Sequence, residues 1–182
     1  MSSKEKRVLI IYSSTDGHTI KISKYIANIL KASVDIVSIN DPIPSLSNYD
    51  GVIIGASIRY GFHRNKVKKY INTHYKELNS IPNAFFSISL IARNEERRYV
   101  DNNPYAKKFL DKIQWEPKNI GLFGGLLNYP AYSIFDKLMI KLIMTITKGP
   151  TNTKTIIEYT DWKQVKTFAA EFNSQIDSRG RS

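Results

Sequence analysis

Seven consecutive residues, Ser13-Ser14-Thr15-Asp16-Gly17-His18-Thr19, place four hydroxyls around a glycine. That is the equipment of an anion cradle. Hydroxyls and backbone N–H groups donate to phosphate oxygens, and Asp16-Gly17 permits the tight turn that aims them. Before this run lies a short apolar stretch, Val8–Tyr12. After it Ile22, Tyr25, Ile26, Ile29 and Leu30 recur at helical spacing. The loop is therefore expected at the N-terminus of a helix, where free N–H groups and the positive end of the dipole favour an anion. No lysine stands in the loop and GxxxxGK is absent, which excludes a nucleoside-triphosphate P-loop. GxGxxG is absent too, which argues against a dinucleotide turn. Taken alone, a Ser/Thr/Gly turn after a strand is more often an ordinary loop than a site. Its place in the fold decides.

Composition removes other chemistries. The 182-residue chain has no cysteine, so disulfides, thiol catalysis and cysteine-based metal centres are excluded. Its three histidines, His18, His63 and His74, are too scattered to suggest a metal site. The net charge is +11, which suggests an anionic partner: nucleic acid, anionic lipid or an acidic substrate. The charge is uneven, with six cations and no acid between Arg59 and Lys76. A nucleic-acid-binding module would fit that segment, but it has no recognition motif and leaves the phosphate loop unexplained. The first residues are polar and have no apolar signal-peptide core, so a cytoplasmic protein is expected.

The elements that must position the loop alternate. Val8–Tyr12, Val34–Ile39, Val52–Ile54, Ala84–Leu90 and Ile120–Leu127 read as buried strands. Thr19–Lys31, Asn65–Leu78, Tyr105–Ile113 (after Pro104) and Trp162–Ile176 (capped by Asp161) read as helices. Such alternation predicts an α/β three-layer sandwich, a five-stranded parallel sheet in the flavodoxin-like order 2-1-3-4-5. Ligands of that sheet bind at the switch between strands 1 and 3, where the loop falls. A single domain over 7–176 is expected, with disordered tails at 1–6 and 177–182.

The stretch Ile10–Ile26 also resembles the flavodoxin family's own pattern: two aliphatics, Tyr12, Ser14, Gly17, Thr19, then small Ser23 and an aliphatic. The resemblance implies FMN, its phosphate on Ser14, Thr15, Asp16, Gly17, His18 and Thr19. It further implies that the isoalloxazine sits between the loops after strands 3 and 4. The first comprises Ala56, Ser57, Ile58, Arg59, Tyr60 and Gly61; the second begins at Leu90, Ile91, Ala92 and Arg93 and runs to Asn103. Tyr60 is a candidate to stack on the ring, Gly55 and Gly61 to let backbone approach it, and Arg59 and Arg93 to reach anionic groups.

Residues 128–152 are too many for a plain strand-to-helix connection. Within them Phe135, Leu138, Met139, Leu142, Ile143 and Ile146 recur at helical spacing, with Lys137, Lys141 and Thr145 on another face. A helix from Ile134 to Thr147 would be about 21 Å long, too short to span a bilayer. It reads equally as a core helix and as an amphipathic helix lying over a substrate or on a membrane surface.

The segments STDGHT, YDGVIIGASIRYG, AFFSISLIAR, YAKKFL with QWEP, MIKLIM and YTDW occur in that order. Together they resemble the bacterial menaquinone-dependent protoporphyrinogen oxidases of haem synthesis, over roughly Arg7 to Ile176. That resemblance implies FMN, protoporphyrinogen IX as substrate, menaquinone or ubiquinone as acceptor, and peripheral attachment to the cytoplasmic side of the inner membrane. The attachment would be through an anionic surface or respiratory-chain components. It also implies that the insertion is needed for activity. Arg59, Arg93, Arg97 and Arg98 are candidates for propionate or lipid-phosphate contact, and Tyr132, Lys137 and Lys141 for substrate or membrane contact. No residue stands out as a catalytic base. Two alternatives remain at this level: a single-electron flavodoxin carrier, against which the charge of +11 speaks, and an NAD(P)H:quinone reductase.

Overall fold

The computed structural model describes residues 5–179. Five strands form a parallel sheet: β1 (Arg7–Ser13), β2 (Ser33–Ser38), β3 (Gly51–Ser57), β4 (Asn83–Ser89) and β5 (Ile120–Gly124). Their order is β2-β1-β3-β4-β5, as expected. β3 and β4 are buried nearly end to end, which is why they read as unbroken apolar runs rather than alternating ones.

Side-chain alternation along the strands feeds two cores. Val8, Ile10, Ile53, Phe86 and Phe123 point to one face, where α1 (His18–Ile29) and α5 (Trp162–Arg179) cover them with Ile22, Ile26, Phe168 and Phe172. Leu9, Ile11, Val52, Ile54 and Phe85 point to the other. There α2 (Asn65–Ser80) and α3 (Pro104–Leu110) supply Val67, Ile71, Leu78 and Phe109. Asp161 accepts from the N–H groups of Lys163 and Gln164 and so caps α5. α5 continues to Arg179, three residues beyond the expected end; the outermost tail residues lie outside the described range.

The expected fifth strand, Ile120–Leu127, is two strands. β5 stops at Gly124. β6 (Leu126–Asn128) turns away to pair antiparallel with β7 (Ile156–Glu158) as a small second sheet. The break has a steric origin: a Cβ on Gly124 would lie 2.4 Å from the Tyr159 carbonyl oxygen, so only glycine admits that crossing chain. The insertion leaves between β6 and β7 and carries α4 (Ile134–Ile146), within one residue of the expected helix. A third apolar cluster, Leu127, Tyr129 and Met144, fixes α4 to the body of the protein.

Candidate functional site

The loop Ser13–Thr19 lies between a strand and a helix, as expected. β1 ends at Ser13 and α1 begins at His18, with Gly17 at the N-cap in the left-handed region (φ 76°). No side chain caps α1, and its first turn holds no acid. The hydroxyls of Ser13, Ser14 and Thr19 are buried and have no partner among the described residues. Buried hydroxyls are rarely left unbonded. Three of them at the open N-terminus of a helix are a donor set whose chemistry fits a phosphate monoester. Thr15 Oγ1 accepts from Arg64 at 3.3 Å. His18 is buried, which pushes its pKa down, and its Nε2 meets Thr160 Oγ1 at 2.7 Å. The Thr160 hydroxyl donates to the Gly124 carbonyl, so His18 Nε2 must be the donor to Thr160.

Beyond the loop a cavity opens at the carboxyl ends of β1, β3 and β4. Of the expected residues, Ser14, Thr15, Asp16, His18, Thr19, Ser57, Ile58, Arg59, Tyr60, Gly61, Leu90, Ile91 and Tyr132 line it. Ile88, Ser89, Tyr105, Gly125, Leu126, Asp136, Ile140 and Ile143 line it too, and were not anticipated. Asp136, Ile140 and Ile143 all come from α4, which roofs the cavity.

The roof is tied down at both ends. Arg59 and Phe62 exchange backbone hydrogen bonds across a two-residue turn whose central residues, Tyr60 (φ 52°) and Gly61 (φ 82°), are both left-handed. The turn presents Arg59 and Tyr60 to Asp136. The Arg59 guanidinium pairs with that carboxylate, and the Tyr60 hydroxyl donates to it. Ser133 adds its hydroxyl at 2.8 Å and accepts from the Asp136 N–H, capping α4. Tyr60, Arg59 and Ser133 together hold the Asp136 carboxyl down, at about 2. Arg59 also lies 3.6 Å from Asp16, so it bridges the phosphate loop to the roof. At the far end of α4, Arg93 donates to the Thr147 carbonyl (2.7 Å) and hydroxyl (2.9 Å) and to the Leu90 carbonyl (3.0 Å).

Several expected contacts therefore serve other ends. Arg93 is a cap for α4 and does not line the cavity. Arg97 donates to the Asn102 carbonyl, and Arg98 pairs with Asp161 at 3.0 Å. Gly55 makes room for Phe86, whose Cζ would lie 2.1 Å from a Cβ there, rather than for a ligand. Gly17 is exposed at the N-cap of α1, while Ala56 and Ala92 are fully buried and do not line the cavity. Tyr60 faces Phe135 edge-on at 6.1 Å. Lys137 and Lys141 stand outside the cavity, on the flank of α4 between its inner and outer faces. The expected single apolar face of α4 is in fact two. Ile140, Ile143 and Met144 turn inward, while Ile134 (80% exposed), Phe135, Leu138, Leu142 and Ile146 (72% exposed) face outward, Phe135 touching only the edge of Tyr60.

The profile of the flavodoxin domain family matches residues 9–154. The chain is 42% identical over 175 residues to protoporphyrinogen IX dehydrogenase (quinone) of Escherichia coli K12, covering 94% of this chain and 97% of that protein. The protein of the same name from Leishmania major is 41% identical over 177 residues, covering 94% of this chain and 77% of that one. Among solved structures, an archaeal flavodoxin aligns with a TM-score of 0.50 at 15% identity, over 94% of this chain and 99% of that one. Rubredoxin oxygen:oxidoreductase of Desulfovibrio gigas aligns with a TM-score of 0.52 at 12% identity, over 97% of this chain and 37% of that one. The structural likenesses speak for the sheet and its helices. The sequence likeness runs through loop, cavity and insertion alike, and on it this chain belongs to the flavodoxin-like protoporphyrinogen IX dehydrogenase (quinone) family.

Proposed function

We propose that this protein binds FMN and oxidises protoporphyrinogen IX to protoporphyrin IX, passing the electrons to menaquinone or another membrane quinone, a late step of haem synthesis. One observation carries the reading. Three buried, unpartnered hydroxyls mark a phosphate site beneath a helical roof, in a chain 42% identical to enzymes of that name. Ser14, Thr15 and Thr19 would hold the phosphate, and the loops at Ser57–Gly61 and Leu90–Ile91 would flank the ring. When bound, FMN supplies a two-electron acceptor at the cavity.

The protein's own part is position and exclusion of water. Ile58, Leu90, Ile91, Leu126, Ile140 and Ile143 offer an apolar wall to an apolar macrocycle. Arg59, fixed by Asp16 and Asp136, is the cation of this cavity. Asp136 is held ionised, with a pKa near 2, and His18, donating through Nε2 to Thr160, keeps its lone pair on Nδ1. Anaerobic incubation of the FMN-loaded protein with protoporphyrinogen IX and a menaquinone analogue tests the reading. Quinone-dependent growth of porphyrin fluorescence is expected; its absence would overturn the reading.

The outer face of α4 supports attachment to the membrane that holds the quinone, on its cytoplasmic side. Five exposed apolar side chains along one arc, flanked by Lys137 and Lys141, suit an anionic bilayer surface. No helix among the described residues is long and apolar enough to cross a membrane. Phosphatidylglycerol vesicles should sediment the protein, and Phe135, Leu138 and Leu142 all changed to Ser should release it with the fold intact. Equal sedimentation of that variant would remove α4 from the interface.

A further inference from the structure

A second cleft lies beside the flavin cavity, on the other side of Gly61 and Tyr105, which border both. Its walls are the start of α2 and the end of α3. Lys68 comes from the first, Lys108 from the second and Lys112 from the turn that follows it. None of the three is in an ion pair among the described residues; the nearby acid Asp101 pairs with Lys107 instead. The first turn of α2 contains no acid and has no side-chain cap, so its dipole adds to the positive field. The floor is aromatic. Phe62 is 61% exposed and lies under Lys108 Nζ at 5.1 Å from the ring centre, and Tyr105 packs over Gly61. Like charges gathered on an exposed aromatic surface cost stability through mutual repulsion. They have a use where an amphipathic anion binds.

We propose that the cleft between Lys68, Lys108 and Lys112 is the subsite for the substrate's propionate carboxylates, with Phe62 and Tyr105 against the edge of the macrocycle. This rests on the reading of the flavin cavity as the site of tetrapyrrole oxidation, and it adds what that cavity lacks. Arg93, Arg97 and Arg98 are spent within the protein, and Arg59 is neutralised by two aspartates. A macrocycle lodged in the apolar cavity would project its charged arms past Tyr105 into the cleft. The cleft then selects a dicarboxylate and fixes which edge of the ring faces the flavin.

The test compares the FMN-loaded wild type with the variant Lys68→Gln, Lys108→Gln, Lys112→Gln. Each is titrated with protoporphyrin IX and with its dimethyl ester, following fluorescence. The wild type should bind the free acid at least about tenfold more tightly than the ester, and the variant should lose about tenfold for the acid alone. Its FMN content should match the wild type, its KM for protoporphyrinogen IX should rise in step, and its kcat should hold. Equal affinity of variant and wild type for the acid would overturn the subsite and leave the oxidase reading intact. A lysine-dependent preference for the acid, in a protein that shows no quinone-linked oxidation, would keep the subsite and remove the oxidase reading. A wild type that binds neither porphyrin would overturn the subsite.

Discussion

Thr19 is completely buried, and its hydroxyl has no partner among the described residues; the proposed one is the FMN phosphate. Thr19→Val, nearly the same shape, should therefore act with opposite signs on the two forms of the protein. It should stabilise the ligand-free form by about 1 kcal/mol, since an unbonded buried hydroxyl is removed, and weaken FMN about tenfold. Thermal melts with and without FMN check this; unchanged FMN affinity would refute the loop assignment. His63 carries a second prediction. It is enclosed by Phe85 and Phe109, bonds Ser87 Oγ at 2.8 Å, and burial drives its pKa from 6.5 down to about 4. Between those values the unfolded chain binds the extra proton, so stability is complete above pH 6.5 and falls as the pH drops towards 4. The loss is about 3 kcal/mol at full extent. Urea denaturation at several pH values should show this slope, and His63→Gln should flatten it. At this scale the phosphate loop was legible because its chemistry is local in sequence. The arginines were not: Arg93 finds Thr147 and Arg98 finds Asp161 across 54 and 63 residues, a reach no local pattern encodes.

α4 is the element that roofs the cavity. Its interior, from Ile134 to Ile146, was legible from its period, but its two-sidedness was not. Periodicity marks residues as apolar without saying whether sheet, cavity or lipid will face them. The break between β5 and β6 was missed for a related reason: one unbroken apolar run reads the same whether it serves one sheet or two. The available signal was the pair Gly124-Gly125. Arg93 closes the last turn of α4, where the carbonyls lack helical partners. Arg93→Ala should cost about 2 kcal/mol, by analogy with other hydrogen bonds to charged groups, and quicken amide exchange in the last turn of α4. FMN content should not change. Loss of FMN with no change in exchange would return Arg93 to the flavin site.

On the scale of the whole molecule, sheet order, layers and ligand edge all followed from alternating apolar runs. The meaning of the +11 charge emerged only once the chain was folded. Part of it lines the Lys68–Lys108–Lys112 cleft beside the cavity, and part flanks the outer face of α4. On the proposed reading, acidic substrate and anionic bilayer would be met on separate surfaces, both adjoining the cavity. Conversion of protoporphyrinogen to protoporphyrin removes six electrons and six protons, so three two-electron oxidations must each find a quinone. The most direct measurement is the anaerobic stoichiometry: FMN-loaded protein, limiting protoporphyrinogen IX and excess menaquinone analogue, with porphyrin fluorescence and quinone reduction followed together. Three quinones reduced per porphyrin formed, with no turnover when quinone or FMN is withheld, is the predicted result. Porphyrin formed no faster than in a protein-free control, or quinone reduction driven by NADPH instead, would contradict it.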